Sequence, residues 1–485
     1  MKRLFPYLIV FVLVALPIFS HLDSFPIRVW DESRLANNAY EMYHNHNYLV
    51  SYFYGAPDMW STKPTLLIAI QALFMHFIGV NELAVRLPIA LATLMLCFSI
   101  FYFLKRIFKN NVIGIIAVLV LITTNGFIEL HGSRTGDYDV LLILFTTLAC
   151  FNFFYFIQEQ QLKNLYLFFA FSAFAVLTKG VAGVLFWPGI LLYATFSKQV
   201  IPMLKNKHTY IGLFSCLAVA ASYYIVREQL NPGYWEAVKV NELGGRFFHV
   251  IEKHDHDFFY YFNLIVDYDY SYWCLLVPVS LLVSLTINNK LMNQISIFVT
   301  CLVTTYFLII STAKTKVPWY NLPMYPFLAI LLALLLYFTY EQLSKSAIAD
   351  FKIKYNYRPL LFLVVIFAFP FKMILSKTMN PVEPSINYYY NEIPYYFKKV
   401  IKEHKVIQHQ YVVYDEYNAH ITFYLHMLND AGSSISTKGI NELLVGDEVI
   451  VSQAHLKEQL SKKYSYKILD TYNDVIICKV LRLKL

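Results

Sequence analysis

Residues 1–34, MKRLFPYLIVFVLVALPIFSHLDSFPIRVWDESR, open with two cations, Lys2 and Arg3, run apolar over about 4–20, and emerge at Asp31, Glu32 and Arg34. A run of about 17 to 25 apolar residues is long enough to cross the hydrocarbon core as a helix. Cations ahead of it, with no small-residue cleavage site behind it, make it an uncleaved signal anchor whose N-terminus stays in the cytoplasm. The acidic pair then falls just beyond the first crossing, on the opposite side. Ionisable groups held against a bilayer are costly and mark function by default.

The rest of the chain is of the same kind: 58% of residues are apolar and 18% aromatic, with a mean hydropathy of +0.47, far from a soluble average. Further apolar runs lie near 86–104, 112–128, 139–157, 163–178, 181–197, 209–226, 272–288, 294–312, 319–340 and 359–376, about eleven crossings in all. The expected class is an α-helical polytopic membrane protein over residues 1–376, followed by a small domain over 377–485. Alternate threading puts the loops with Lys105, Arg106 and Lys109, with Lys163, with Lys198, Lys205 and Lys207, with Lys290, and with Lys345, Lys352, Lys354 and Arg358 in the cytoplasm, as the positive-inside rule asks. The net charge of +8 thus follows topology, and no nucleic-acid partner is expected. Cys97, Cys150, Cys216, Cys274 and Cys301 fall inside apolar runs and Cys478 in a strand-like one, a spacing that suggests core packing and neither disulfides nor a thiolate metal site.

The opposite loops, 21–85, 129–138, the Lys179-Gly180 turn, 227–271 and 313–318, carry mixed charge and many aromatics. In the first of them Leu35, Ala39, Met42 and Tyr43, and again Leu66, Leu67, Ile70, Phe74 and Phe77, recur at helical spacing. This predicts two amphipathic helices lying in the interface plane. After 377 the pattern changes: 411–414, 448–451 and 475–480 read as strands, 418–428 and 454–463 as helices. A small extracytoplasmic α/β domain is expected there, covering the membrane part or helping to hold an acceptor.

On the side shared with Asp31 stand Lys63, then Asp137 and Asp139 in His131-Gly-Ser-Arg134-Thr-Gly-Asp137-Tyr-Asp139 at the mouth of the fourth span, and Lys314 and Lys316 at the mouth of the tenth. Carboxylates and cations on one face suit transfer of a group off an anionic leaving group. A carboxylate activates or orients the incoming nucleophile, and Lys or Arg neutralises charge on a departing phosphate. Each residue also has a structural counterpart: helix caps and first-turn acids for the carboxylates, snorkelling or interfacial anchoring for the lysines. His254 and His256, interleaved with Asp255 and Asp257, lack a third ligand at fixed spacing, so no metal is assigned to them.

Asp31-Glu-Ser-Arg34, Lys63-Pro64, Asn81-Glu-Leu-Ala-Val-Arg86-Leu-Pro, Arg134 to Asp139, Leu177-Thr-Lys179-Gly180 and Lys314 to Pro323 come in the order seen in GT-C glycosyltransferases. More narrowly, the chain resembles the family of the protein O-mannosyltransferases and the bacterial lipid A aminoarabinose transferases, over about residues 1–340. The resemblance implies an inverting glycosyltransferase of the cell envelope. It would move a sugar from a polyprenyl-phosphate carrier to a lipid A-like lipid or a protein acceptor, in the bacterial inner membrane with its site facing the periplasm. It implies Asp31 as the catalytic carboxylate with Glu32 beside it and Asp139 as a second acid, Asp137 being a near competitor. Arg34, Lys63, Lys179, Arg246, Lys316 and Tyr320 become donor or sugar contacts. The family's frequent acid before Lys-Pro is Thr62 here, which puts a metal site built on that acid in doubt; no cofactor is assigned, although the resemblance admits a divalent metal. A transporter or flippase of a lipid-linked sugar is the alternative, since charge in a membrane also marks translocation paths, and a carrier-binding subunit without turnover is a third reading.

Overall fold

The computed structural model describes residues 4–129, 131–350 and 356–484. Lys2, Arg3, Lys352 and Lys354, which helped orient the chain above, lie outside the described residues. Among the described residues seven helices are long and apolar enough to cross a membrane: Glu82–Phe108, Asp139–Glu159, Leu162–Val184, Lys207–Leu230, Lys290–Thr312, Pro318–Lys345 and Arg358–Met379. At 1.5 Å per residue each reaches about 30 Å or more.

The other four expected crossings are shorter helices, Phe5–Phe19, Asn111–Ile122, Trp187–Phe196 and Leu276–Thr286, and local chemistry cuts them short. Thr123 and Thr124 fold their hydroxyls back onto the carbonyls of Leu119 and Val120, at 2.6 and 2.9 Å, where the helix from Asn111 ends. Pro188 sits in the first turn of Trp187–Phe196, where its missing N–H is tolerated. Before it, Leu162–Lys179 stops at Gly180, whose φ of +56° strains any residue with a Cβ. That stop leaves Lys179 at a helix end, facing the loops.

The loop after the first helix is packed protein. Asp31–Asn45 buries Leu35, Ala36, Ala39 and Met42. Asn37 Nδ2 donates to the carbonyl of Ala419 at 2.8 Å, and Asn38 Nδ2 to that of Tyr52 at 2.7 Å. Sequence spacing predicts a helix lying in the interface plane, and the structure corrects this: its polar residues meet protein groups above and below, so it is an inner layer. Leu66–Ile78 fits the interfacial expectation better, since it buries Leu67, Ile68, Ala72 and Met75 while Leu73, Phe77 and Ile78 stay exposed, an apolar face open to lipid.

The C-terminal part forms a five-stranded sheet in the order Ile435–Thr437, Gln410–Val412, Glu448–Val451, Val475–Leu483, Tyr464–Tyr472. The first three strands are parallel and the last two join antiparallel. Because side chains alternate along a strand, the sheet has two different faces. Ile450, Val475 and Ile477 join the large core shared with the membrane helices. Val449, Val451, Cys478 and Val480 pack with Leu456 and Leu460 of the helix Ala454–Lys463 in a second, smaller core. Lys398 and Tyr424 then fasten this part to the rest by bonding Glu82, at 2.5 and 2.6 Å, at the start of the first long membrane helix.

Candidate active site

Asp31 begins its helix behind Trp30, which is held at φ +74°, and Asp139 begins a membrane helix behind Tyr138; neither helix is capped by a side chain. The two acids thus stay free of capping duty, in first turns whose dipole favours negative charge. Around them the loops border about 660 Å³ of space, part of it open to solvent, lined by Asp31, Arg34, Trp60, Lys63, His131, Asp137, Asp139, Lys179, Glu242, Arg246, Trp319 and Tyr320. Residues more than 280 positions apart in sequence meet here.

The charges are only partly paired. Lys179 forms an ion pair with Asp139. Lys63 Nζ lies 3.3 Å from Glu242 Oε1, and the same oxygen accepts from Thr62 Oγ1 at 3.1 Å. Burial works against the Lys63 ammonium, yet the Glu242 carboxylate, together with Asp31 and Tyr320, keeps the lysine's affinity for its proton above the ordinary value. Arg246 Nη1 reaches the Tyr320 hydroxyl at 3.4 Å. Asp31 keeps about half its side chain exposed, with His131 Nε2 the nearest cation at 3.6 Å. Asp137 is buried, and its Oδ1 finds no hydrogen-bond partner among the described residues. Burial first, opposed by His131 and reinforced by Glu32, Asp31 and Asp139, pushes its carboxyl up to about 7.

Three expected site residues are placed differently. Glu32 does not line this central cavity and reaches only the wall of the wider vestibule that opens from it. Its oxygens accept from Arg86 at 2.7 and 2.9 Å, from Arg28 N at 2.7 Å and from Gly136 N at 2.8 Å. Burial works to raise its carboxyl, but the Arg86 charge and these bonds hold it below the usual value. Glu32 therefore ties the Asp31 turn to the loop that carries Asp137. Arg34 lines the cavity, but its guanidinium is taken up by Asp58, at 2.8 and 2.6 Å, and Asp58 in turn accepts from Trp60 N and Ser61 N, which shapes the turn leading to Lys63. Lys316 does not reach the cavity: its ammonium bonds the carbonyls of His256 and Ala313, at 2.9 and 2.7 Å. With Lys314 N on Phe247 O and Thr315 N on Arg246 O, both 3.0 Å, this segment clasps the loop that presents Arg246. Arg134, likewise, caps the end of the first helix by donating to the carbonyls of Pro17, Ile18, Ser20 and His21.

His131, Glu242, Asp58 and the two tryptophans were not assigned from sequence. His131 lies inside a quoted motif, but nothing in the spacing of 227–271 singles out Glu242. Among the described residues no group of three or more His, Cys, Asp or Glu is gathered to hold a metal ion. His256 instead stacks on Tyr260, ring centroids 4.0 Å apart.

Two further cavities open from this one. A groove of about 810 Å³ shares Lys63, Asp139, Lys179, Glu242, Arg246 and Tyr320 with it and is otherwise walled by apolar groups such as Leu142, Leu185, Phe247, Ile309 and Ile310. A wider vestibule of about 1440 Å³ shares Asp31, Arg34, Trp60, His131, Asp137, Arg246 and Trp319 and extends to Trp30 and Tyr417. Those last two rings stack at 4.8 Å. The polar site is thus a junction between an apolar groove and an aromatic mouth.

Residues 62–225 match the family described as dolichyl-phosphate-mannose-protein mannosyltransferase. The chain is 25% identical over 339 residues to an undecaprenyl phosphate-alpha-4-amino-4-deoxy-L-arabinose arabinosyl transferase of Edwardsiella ictaluri, covering 67% of this chain and 58% of that one. It is 23% identical over 327 residues to an uncharacterized protein of Aquifex aeolicus, covering 67% and 63%, so the match spans about three fifths of the relatives' length. In fold it is similar to ArnT from Cupriavidus metallidurans bound to undecaprenyl phosphate, with a TM-score of 0.71 at 14% identity over 98% of this chain and 97% of that one. The oligosaccharyltransferase of Archaeoglobus fulgidus in its apo form gives 0.53 at 10% identity, over 90% and 64%. The resemblance read from the motifs therefore holds: the chain is similar to GT-C glycosyltransferases of the protein O-mannosyltransferase and lipid A aminoarabinose transferase family.

Proposed function

We propose that this protein is an inverting glycosyltransferase that takes a sugar from a polyprenyl-phosphate carrier and passes it to a lipid A-like lipid or a protein acceptor. The observation that carries this reading is the junction itself: Lys63, Lys179 and Arg246 stand where the apolar groove meets the polar cavity, with Asp31 across from them toward the vestibule. A prenyl chain in the groove would leave its phosphate among these cations. The acceptor would enter past Trp30, Trp60 and Trp319. Its oxygen forms a bond to the anomeric carbon on the face opposite the phosphate, while the bond from that carbon to the phosphate oxygen breaks and its electron pair stays on the carrier phosphate. The cations neutralise that charge, and Asp31 accepts the proton of an acceptor hydroxyl. An acceptor already ionised needs Asp31 for orientation alone.

Asp139, committed to Lys179, would hold that cation in place, and Glu32 and Arg34 would set the Asp31 and Lys63 turns. Counted together with the four shorter apolar helices, which need their flanking segments to reach across the hydrocarbon core, the crossings number about eleven; the N-terminus is cytoplasmic, and the site and the α/β domain over 377–485 face the periplasm from the bacterial inner membrane. These placements rest on loop charge and on the family's sidedness. Translocation of the carrier without transfer gains no support from the cavity.

The test is reconstitution of the full chain with a polyprenyl-phosphate sugar and candidate acceptors, with products read by mass spectrometry. Asp31→Asn should fold normally and lose transfer to a hydroxyl acceptor by about a thousandfold or more, in the range of a lost general base together with an electrostatic contact. Wild-type turnover in that variant would remove Asp31 from the mechanism.

A further inference from the structure

His131 stands at the centre of the cavity. Its ring lies on Trp319, centroids 3.6 Å apart and planes 12° apart, which fixes the direction of both nitrogens. Nε2 is 3.6 Å from Asp31 Oδ2; Nδ1 is 3.5 Å from Asp137 Oδ2 and 3.6 Å from Asp139 Oδ2. The backbone that delivers it is unusual, with His131 at φ +59°. The next residue, Gly132, is so enclosed that a Cβ would stand 2.3 Å from the carbonyl oxygen of Phe127. A strained, tightly enclosed turn that aims one buried imidazole at three carboxylates is a reason to look for function.

We propose that His131 is the positioning residue for Asp31: as an imidazolium it bridges Asp31 to the Asp137–Asp139 pair and holds the Asp31 carboxylate turned toward the acceptor oxygen. This rests on the transfer reading above. Asp31 faces the ring from the helix Asp31–Asn45, Asp137 from the loop that carries His131 itself, and Asp139 from the start of the helix Asp139–Glu159. Lys179 already neutralises Asp139, and Glu32 beneath is neutralised by Arg86. Arg34, Arg246, Glu252 and His254 line the same vestibule as the ring, Arg34 being paired with Asp58, and Lys63, also on the cavity wall, is paired with Glu242. Asp31 and Asp137 therefore have His131 as their nearest cation. Burial works against a charged imidazole here, but Asp137, Asp139 and Asp31 outweigh it, so its proton is held above the ordinary histidine value. Rising pH removes that proton and leaves Asp31 beside a neutral ring and two acids. During transfer the acceptor's proton moves to Asp31, and His131 keeps its own.

The pH profile of the reconstituted full chain tests this. Wild-type kcat should fall on the alkaline side with a midpoint above that of an ordinary histidine. His131→Gln should lower kcat about tenfold to a hundredfold, leave KM for the carrier within about twofold, and abolish that alkaline limb. An active wild type whose His131→Gln variant keeps both kcat and the limb overturns the inference while leaving the transfer reading intact. A second measurement needs neither turnover nor that variant: titration of 13C,15N-histidine in the full chain in nanodiscs, with His131 assigned by the ring-current shift lost in Trp319→Phe. The imidazole should titrate above 6.5 and fall in Asp31→Asn. A midpoint at or below 6.5, or no response to Asp31→Asn, overturns the inference. A wild type inert with every polyprenyl-phosphate sugar overturns the transfer reading, and the titration still decides the Asp31–His131 coupling.

Discussion

The cavity around Asp31 and the polar layer beneath it around Glu32 are built from the same residue types, yet they differ in how completely their charges are paired. In the lower layer Arg86 spends its donors on Glu32 and on the carbonyls of Leu22, Phe25 and Pro26, at 2.7 to 3.0 Å. Glu82 is closed off by Lys398 and Tyr424. In the cavity above, among the described residues, Asp137 has an oxygen without a hydrogen-bond partner, Asp31 has the His131 ring as its nearest basic group, 3.6 Å away, and Lys63 leans on one carboxylate. Complete pairing makes a rigid support. Incomplete pairing leaves the capacity to bind something charged, and one residue of chain separates the two regimes.

The sharpest way to break this contrast is to remove one member of the buried pair. Arg86→Met leaves Glu32 charged and unpaired inside the protein, which should cost about 3–5 kcal/mol. Asp31→Asn, at an exposed position, should change stability by less than about 0.5 kcal/mol. Thermal unfolding in detergent compares them directly, and equal losses would show that both acids belong to one structural layer.

A second test uses pH. The Asp137 carboxyl, ordinarily near 3.8, sits at about 7 in the fold. Between those values the unfolded chain has released a proton that the folded chain retains, so this group's contribution to stability declines as pH rises and is fully lost above about 7. Asp137→Asn should therefore stabilise by about 1–3 kcal/mol, the penalty of an unsatisfied buried group, at pH 8, and by nothing near pH 4. A gain independent of pH would contradict the incomplete pairing assigned to Asp137.

Lys63 and Glu242 sharpen the contrast from the ligand side. Lys63→Gln removes a charged donor at the mouth of the groove, and binding of polyprenyl phosphate should weaken about tenfold to a hundredfold, as for a lost hydrogen bond to a charged group. Glu242→Gln removes the carboxylate that competes with the phosphate for that lysine, so binding should tighten by a few-fold, the scale of a partly exposed ion pair. If both variants weaken binding, Glu242 serves the carrier and does not oppose it.

How much of this was legible in the sequence follows from what each feature depends on. The seven long spans depend on run length, and the positions of Asp31, Lys63, Asp137, Asp139 and Lys179 at the mouths of apolar runs depend on neighbours in the chain; both could be read. Asp31 and Glu32 could not be told apart, because what separates them is Arg86, 54 positions away. Glu242 meets Lys63 across 179 residues without any local pattern, and the clasp made by Lys316 exists only once the Arg246 loop has folded against it. In the C-terminal sheet the buried strands show as short runs of apolar, β-branched residues, such as Val449-Ile-Val451 and Val475-Ile-Ile477. Tyr464–Tyr472, an edge strand exposed along most of its length, has no buried face to write into its sequence, so it was missed.

The smallest expected effect lies at the rim, where the two regimes meet. Trp30 carries the strained φ that starts the Asp31 helix, and its ring stacks on Tyr417 from the C-terminal part at the vestibule mouth. Trp30→Phe keeps a ring on that partner, whereas Trp30→Ala loses a stacking contact worth about 0.5–1.5 kcal/mol. If the vestibule receives the acceptor, Trp30→Ala should raise KM for the acceptor about twofold to tenfold and leave carrier binding unchanged, and Trp30→Phe should recover most of the loss. A change in carrier affinity instead would mean that the mouth and the groove are mechanically joined through the Asp31 turn. The separation of a rigid floor from an adaptable cavity would then fail at the residue that connects them.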